Sequence, residues 1–253
     1  MITDLQKANI WKRVSAGLFD GILLGILAVG IAVLISLITG YDAKTQALSG
    51  YYAQYERQYG VSFSVTEEEF FASSPEEQAR YEEAYAALTA DPEVLRAYQT
   101  VLNLTLVMIS LGLLLAFAIL EFFIPFYLGH GQTAGKKIFG IAVMRTSGVR
   151  MNTVSFFIRT FLGKYTVETM IPVLILILLY FNAIGLAGTL VLIGLLILQL
   201  VLFFVTPGHS LIHDRMADTV AVDMSSQLIF DTEEARLEYI KKEAADKASR
   251  SVY

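Results

Sequence analysis

VSAGLFDGILLGILAVGIAVLISLI, residues 14–38, is 25 residues long and carries one charge, Asp20. A bilayer core takes about 20 apolar residues of helix, so this stretch reads as a membrane span. Two further stretches repeat the pattern: 101–128, whose one charge is Glu121, and 166–206, whose one charge is Glu168. The last is long enough to cross twice. Phe181-Asn182-Ala183-Ile184-Gly185 supplies the turn, giving spans near 163–181 and 185–206. The expected fold class is an all-α membrane protein with four transmembrane helices. A cleaved signal peptide is not expected, because the first apolar run is too long and lacks a small-residue cleavage site.

Composition supports this reading by exclusion. The chain is 17% charged, against about 25% in ordinary soluble domains, which argues against disorder and coiled coil. A net charge of −5 offers no phosphate-neutralising field, so nucleic acid is not an expected partner. The absence of cysteine removes disulfides, thiolate nucleophiles and cysteine-bound metals.

The basic residues set the orientation. Residues 1–13 hold Lys7, Lys12 and Arg13, and 129–165 holds six basic residues and no acid. Residues 39–100 hold four basic and eleven acidic residues. Positive charge stays cytoplasmic, so both termini and 129–165 are expected inside and 39–100 outside. The expected organisation is therefore a cytoplasmic N-terminus and first span (1–38), an extracytoplasmic helical cap (39–100) and a second span (101–128). A basic cytoplasmic loop (129–165), a two-span hairpin (166–206) and a cytoplasmic tail (207–253) follow.

Inside the cap, Thr66-Glu67-Glu68-Glu69 and Ser74-Pro75-Glu76-Glu77 have capping-box spacing, and Asp91-Pro92-Glu93 offers a third helix start. Its tyrosines, among them Tyr51, Tyr52, Tyr55, Tyr81 and Tyr85, read as cap packing or membrane-interface anchors, with a receptor-like surface as the rival. In the basic loop, alternation over 137–151 around Thr146-Ser147-Gly148 suggests a short β-hairpin. Residues 153–164 read as an interfacial amphipathic helix.

Three motifs invite chemistry. Gly131-Gln132-Thr133-Ala134-Gly135-Lys136-Lys137 fails the phosphate-loop spacing, which needs glycine at His130 and Ser or Thr at Lys137. A turn that leaves Lys136 and Lys137 against anionic lipid headgroups is the expected role. His209 and His213 have helical i, i+4 spacing but lack a third ligand, so no metal site is nominated. No catalytic triad can be assembled, and neither an enzyme nor a cofactor is expected.

The intramembrane carboxylates carry the functional question, because a charge in the bilayer costs a few kcal/mol and needs a partner or a purpose. Asp20 lies six residues past Val14, Glu121 seven before Leu128, Glu168 four past Lys164 and Gln199 seven before Thr206. At about 1.5 Å per residue the four fall at similar depth in the cytoplasmic half. Gly17, Gly21 and Gly25 make overlapping G-x-x-x-G pairs, expected to let another helix approach beside Asp20. Two roles are open. The acids pair with Arg13, Arg159 and amides as static packing, or they line a cavity for a cation or proton, where mutual repulsion raises at least one pKa.

Three blocks of sequence resemble a known family. Trp11-Lys12-Arg13-Val14-Ser15-Ala16-Gly17-Leu18-Phe19-Asp20 resembles the opening of the RDD family of bacterial membrane proteins, named for one arginine and two aspartates. The block from Gly131 through Gly135, Lys136 and Gly140 to Val143 resembles its GxTxGKxxxGxxV loop. His213-Asp214-Arg215-Met216-Ala217-Asp218-Thr219-Val220-Ala221-Val222 resembles its closing stretch. The resemblance implies Arg13, Asp20 and Asp214 as the family residues, with Arg159 at a further arginine position. Asp218 stands where a small residue is usual. It also implies a multi-pass protein of the bacterial inner membrane with a role in transport of undetermined ligands. The resulting expectation is a carrier of a monovalent cation or proton using Asp20, Glu121, Glu168 and Gln199. Arg13 would tune Asp20, and Asp214 would pair with Arg159 or Lys136. Four helices are few for a pathway, so a homo-oligomer is expected. The rival is an accessory subunit whose cap and tail bind an unidentified protein.

Overall fold

The computed structural model describes residues 5–128, 131–180, 184–206 and 208–250. Among these, four helices are long and apolar enough to cross a membrane: α1 (Ile10–Thr39), α5 (Pro92–Tyr127), α7 (Thr153–Tyr180) and α8 (Gly185–Val205). Between α1 and α5 lie α2 (Tyr41–Tyr59), α3 (Glu67–Ala72) and α4 (Pro75–Ala90). The remaining elements are α6 (Ala134–Ile138), β1 (Ile141–Arg145), α9 (Ile212–Met216), β2 (Thr219–Asp223) and α10 (Glu233–Arg250). Of the expected turn between the last two spans, 181–183 lie outside the described residues.

The chain forms two compact units, Ala28–Gly112 and the remainder. In the first, the three expected helix starts are all used. Thr66 and Ser74 each close a capping box, with Glu69 and Glu77 returning to the cap amides, and Pro75 takes the first position of α4. Asp91 Oδ1 accepts from the Glu93 N–H at the start of α5 (2.8 Å). The tyrosines pack: Phe63 lies edge-on to Tyr52, Tyr81 and Tyr85 at 5.6–6.3 Å between ring centroids. Offset and edge-on rings of this kind add to plain area burial.

The second unit is built on a sheet that is not the expected hairpin. Residues 145–149 do make a tight turn, with Gly148 N–H donating to Arg145 O (2.8 Å), but the return strand is reduced to one bridge, Met144 to Arg150. The partner of β1 is β2, antiparallel, with Ile141 opposite Asp223 and Arg145 opposite Thr219. Both strands bury their first four residues, so each needs an apolar partner on both faces, which 146–151 cannot supply. The N-terminal segment lies along β2, with Asp223 N–H donating to Gln6 O (2.9 Å) and Lys12 pairing with Asp223 (2.7 Å). Asp218 joins α9 to β2 with φ of 52°, a left-handed turn where glycine is at home and aspartate is tolerated. That accounts for a small residue being usual there. Its carboxylate is held by the Thr146 hydroxyl (2.5 Å).

The separate interfacial helix at 153–164 is also corrected. α7 runs unbroken through it to Tyr180, with wide i→i+5 turns over Ile158–Met170. Arg159 and Lys164 of that stretch turn inward, to Asp214 and Glu121. Pro172 follows at once and has no N–H for the Glu168 carbonyl, a setting in which wide turns are accommodated.

Candidate functional site

Asp214 is the centre of a buried ion network. It sits in the first turn of α9, side chain fully buried, and its own carboxylate caps that turn by accepting from Leu211 N–H (3.1 Å). Arg159 of α7 binds Oδ1, and Arg13 of α1 reaches Oδ2 at 3.4 Å. Arg159 also donates to Thr219 Oγ1 (2.7 Å), and Arg13 to the Gly208 carbonyl (2.6 Å) with its guanidinium 5.9 Å from the Phe203 ring centre. Burial alone would raise the Asp214 pKa. Arg159 first, then His213 and Arg13, overcome it and hold the carboxyl well below the usual range.

His213 extends the network to Glu168. Its backbone N–H donates to Glu168 Oε1 (2.9 Å), and Nδ1 lies 2.7 Å from Oε2. Arg159 Nη2 lies 3.0 Å from Nε2. Burial, with Arg159 beside it, pushes the imidazole below its ordinary value. A neutral ring with its proton on Nδ1 satisfies both neighbours, donating to Glu168 and accepting from Arg159. The approach is possible because Gly163 has no side chain: a Cβ there would stand 2.5 Å from His213 Cβ.

Asp20 is held elsewhere. The Thr133 hydroxyl donates to Oδ2, and the Gly135 N–H to Oδ1 (2.7 Å). Lys136 Nζ is 4.0 Å from Oδ2 and donates to Thr133 Oγ1 (3.1 Å). Gly135 is required for this contact, since an added Cβ would meet the Ala16 carbonyl and the Asp20 carboxylate. Gly131 and Gly140 flank α6 in left-handed conformations, φ 61° and 66°. Lys137 is exposed, and Lys136 turns inward toward Asp20 and Thr133. Burial, and then the neighbouring Lys164, push the Lys136 pKa down to about 7, against the pull of Glu121 and Asp20. Glu121 pairs with Lys164 at 2.5 Å.

These groups meet in one cavity of about 520 Å3, lined by Asp20, Glu121, Glu168, Arg13, Lys136, Arg159 and Lys164 among others. The expected convergence of three carboxylates is therefore present, but the expected repulsion is not, because each acid has its own donor. Arg13 serves Asp214 and not Asp20. Gln199 does not line the cavity, but its side chain hydrogen-bonds Glu168 and accepts from Ile212 N–H at 3.3 Å. An added Cβ at Gly17, Gly21 or Gly25 meets nothing within 4 Å among the described residues, and Gly17 and Gly21 form cavity wall. His209 turns to the Phe203 carbonyl (2.9 Å), not toward His213. Sequence reading passed over Thr133, Lys164 and His213 as members of the site. For His213 the available signal was its place beside Asp214 in the closing block.

The family model described as RDD family matches residues 7–218. No curated protein and no solved structure matches the chain.

Proposed function

The chain belongs to the RDD family of membrane proteins, and from that premise we propose that it is a non-enzymatic carrier that exchanges protons for a monovalent cation across the bacterial cell membrane. One observation carries the reading. Carboxylates from three different helices, Asp20, Glu121 and Glu168, line a single cavity together with Lys136, whose pKa lies near neutrality. Protonated Lys136 stands 4.0 Å from Asp20 and occupies the charge that a cation would need. Deprotonated, it leaves the carboxylate free to hold the cation, with Thr133 adjoining. Proton and cation then exclude one another at one place, and that exclusion is what exchange requires. Both termini are placed in the cytoplasm in this proposal.

An accessory role is favoured by a different observation: every carboxylate in the cavity already has a protein donor. Proteoliposomes with a pH gradient and sodium or potassium separate the two. Wild type is expected to exchange, Asp20→Asn to lose at least about tenfold of the flux, and Lys136→Gln to lose its pH dependence near neutrality. Equal flux from wild type and Asp20→Asn, or none from either, overturns the carrier.

A further inference from the structure

Two helices of the cavity carry the same five-residue pattern. Glu121-Phe122-Phe123-Ile124-Pro125 in α5 and Glu168-Thr169-Met170-Ile171-Pro172 in α7 both read E-x-x-I-P. In each, the glutamate lines the cavity, and the proline four residues on has no N–H for that glutamate's backbone carbonyl. In each, the isoleucine before the proline bonds five residues back, Ile124 N–H to Ile119 O and Ile171 N–H to Thr166 O. The wide winding covers Ala118–Phe123 in α5 and Ile158–Met170 in α7, so both times it runs up to the proline-bearing turn. The carbonyl freed in α5 is used between the helices: Thr160 of α7 donates its hydroxyl to Glu121 O (3.2 Å).

Winding decides which side chains share a face. At about 100° per residue in an ordinary α-helix, Arg159 and Glu168 would stand about 180° apart, on opposite faces. With i→i+5 turns of about 4.4 residues, each residue advances about 82°, and Arg159, Lys164 and Glu168 fall within about 50° of one another. All three line one cavity, with Arg159 on Asp214, Lys164 on Glu121 and Glu168 on His213. An ordinary α-helix would turn one of them away.

We infer that Pro172 is a positioning residue of the cavity, holding α7 in the wide winding that brings Arg159, Lys164 and Glu168 to one face. It acts by a missing donor. An N–H restored at 172 would let the Glu168 carbonyl close an ordinary turn, and the winding would tighten. Arg159 is bound to the buried Asp214 carboxylate and keeps its place, so Glu168 turns away from His213. The inference concerns how the cavity is assembled. It needs no ion flux and stands or falls separately from exchange.

Solid-state NMR of the full-length protein in lipid bilayers tests it, with 13C in the glutamate side-chain carboxyls and 15N in the histidine rings. Glu168 Oε2 lies 2.7 Å from His213 Nδ1, so the wild type is expected to show magnetisation transfer between a glutamate Cδ and a histidine Nδ1. Glu168→Gln identifies that signal by shifting its carbon resonance. Pro172→Ala is expected to weaken the transfer at least about threefold, the scale of one hydrogen bond lost. Its circular dichroism melt is expected to be no lower than the wild type's, because alanine restores a helix bond. Pro172→Leu restores the same N–H with a larger side chain and is expected to act alike. Pro92→Ala is the control: Pro92 opens α5, a position where a missing N–H breaks no turn, and its transfer is expected to match the wild type. Wild-type transfer in both Pro172 variants overturns the inference. So does an equal loss in Pro92→Ala, which would report a general loosening of the bundle.

Discussion

Asp214 shows why a single buried carboxylate can organise three helices. It is enclosed by Arg13 and Arg159, so removing its charge leaves two guanidiniums uncompensated. Asp214→Asn is expected to cost about 3–5 kcal/mol, the usual penalty for breaking a buried pair on one side. The sign of the pH dependence follows from the lowered carboxyl. Its folded pKa lies below the unfolded value, so its stabilisation is complete above about pH 4 and is lost as pH falls below it. Unfolding monitored at Trp11 from pH 7 to pH 3 checks both: the variant should start lower and lose less on acidification. An acid limb unchanged by Asp214→Asn would contradict the network. Arg13, Asp20 and Asp214 were legible as motif positions. Thr133, Lys164 and His213 were not, because a hydroxyl, a lysine or a histidine acquires a role only from the carboxylate that tertiary folding brings to it.

At the scale of elements, glycines of the same helix-compatible chemistry divide into two kinds that composition cannot separate. Gly135 in α6 presses on α1, where a methyl group would meet the Ala16 carbonyl and Asp20. Gly25 in α1 has open space at Cβ. Gly135→Ala is expected to destabilise by about 1–3 kcal/mol through overpacking. Gly25→Ala is expected to stabilise by about 0.5–1 kcal/mol by reducing the entropy lost on folding. Thermal melts of the two single variants check the opposite signs, and two equal shifts would refute the close approach of α6 to α1. The same limit explains the strands. Alternation marked 141–145, but β2 lies more than 70 residues away at 219–223, and no local pattern names a remote partner. The capping boxes of α3 and α4 were read correctly because their whole mechanism lies within four consecutive residues.

For the molecule as a whole, the four apolar helices do not by themselves say which side of the membrane each connection occupies. The proposed assignment rests on the charge distribution: six basic residues and no acid in 129–165 oppose eleven acids and four bases in 39–100. The sequence is suited to a direct test because it has no cysteine, so each introduced thiol reports one place. Ser64 precedes α3 and Ser226 follows β2, and both are exposed. In intact bacterial cells a membrane-impermeant maleimide should label Ser64→Cys fully. It should leave Ser226→Cys unlabelled until the membrane is permeabilised. The reverse pattern would invert the topology and place the basic loop outside, against the rule that retains lysine and arginine in the cytoplasm. The cavity residues Asp20 and Lys136 would then be reached from the opposite face, and the direction of proton release in the proposed exchange would reverse with them.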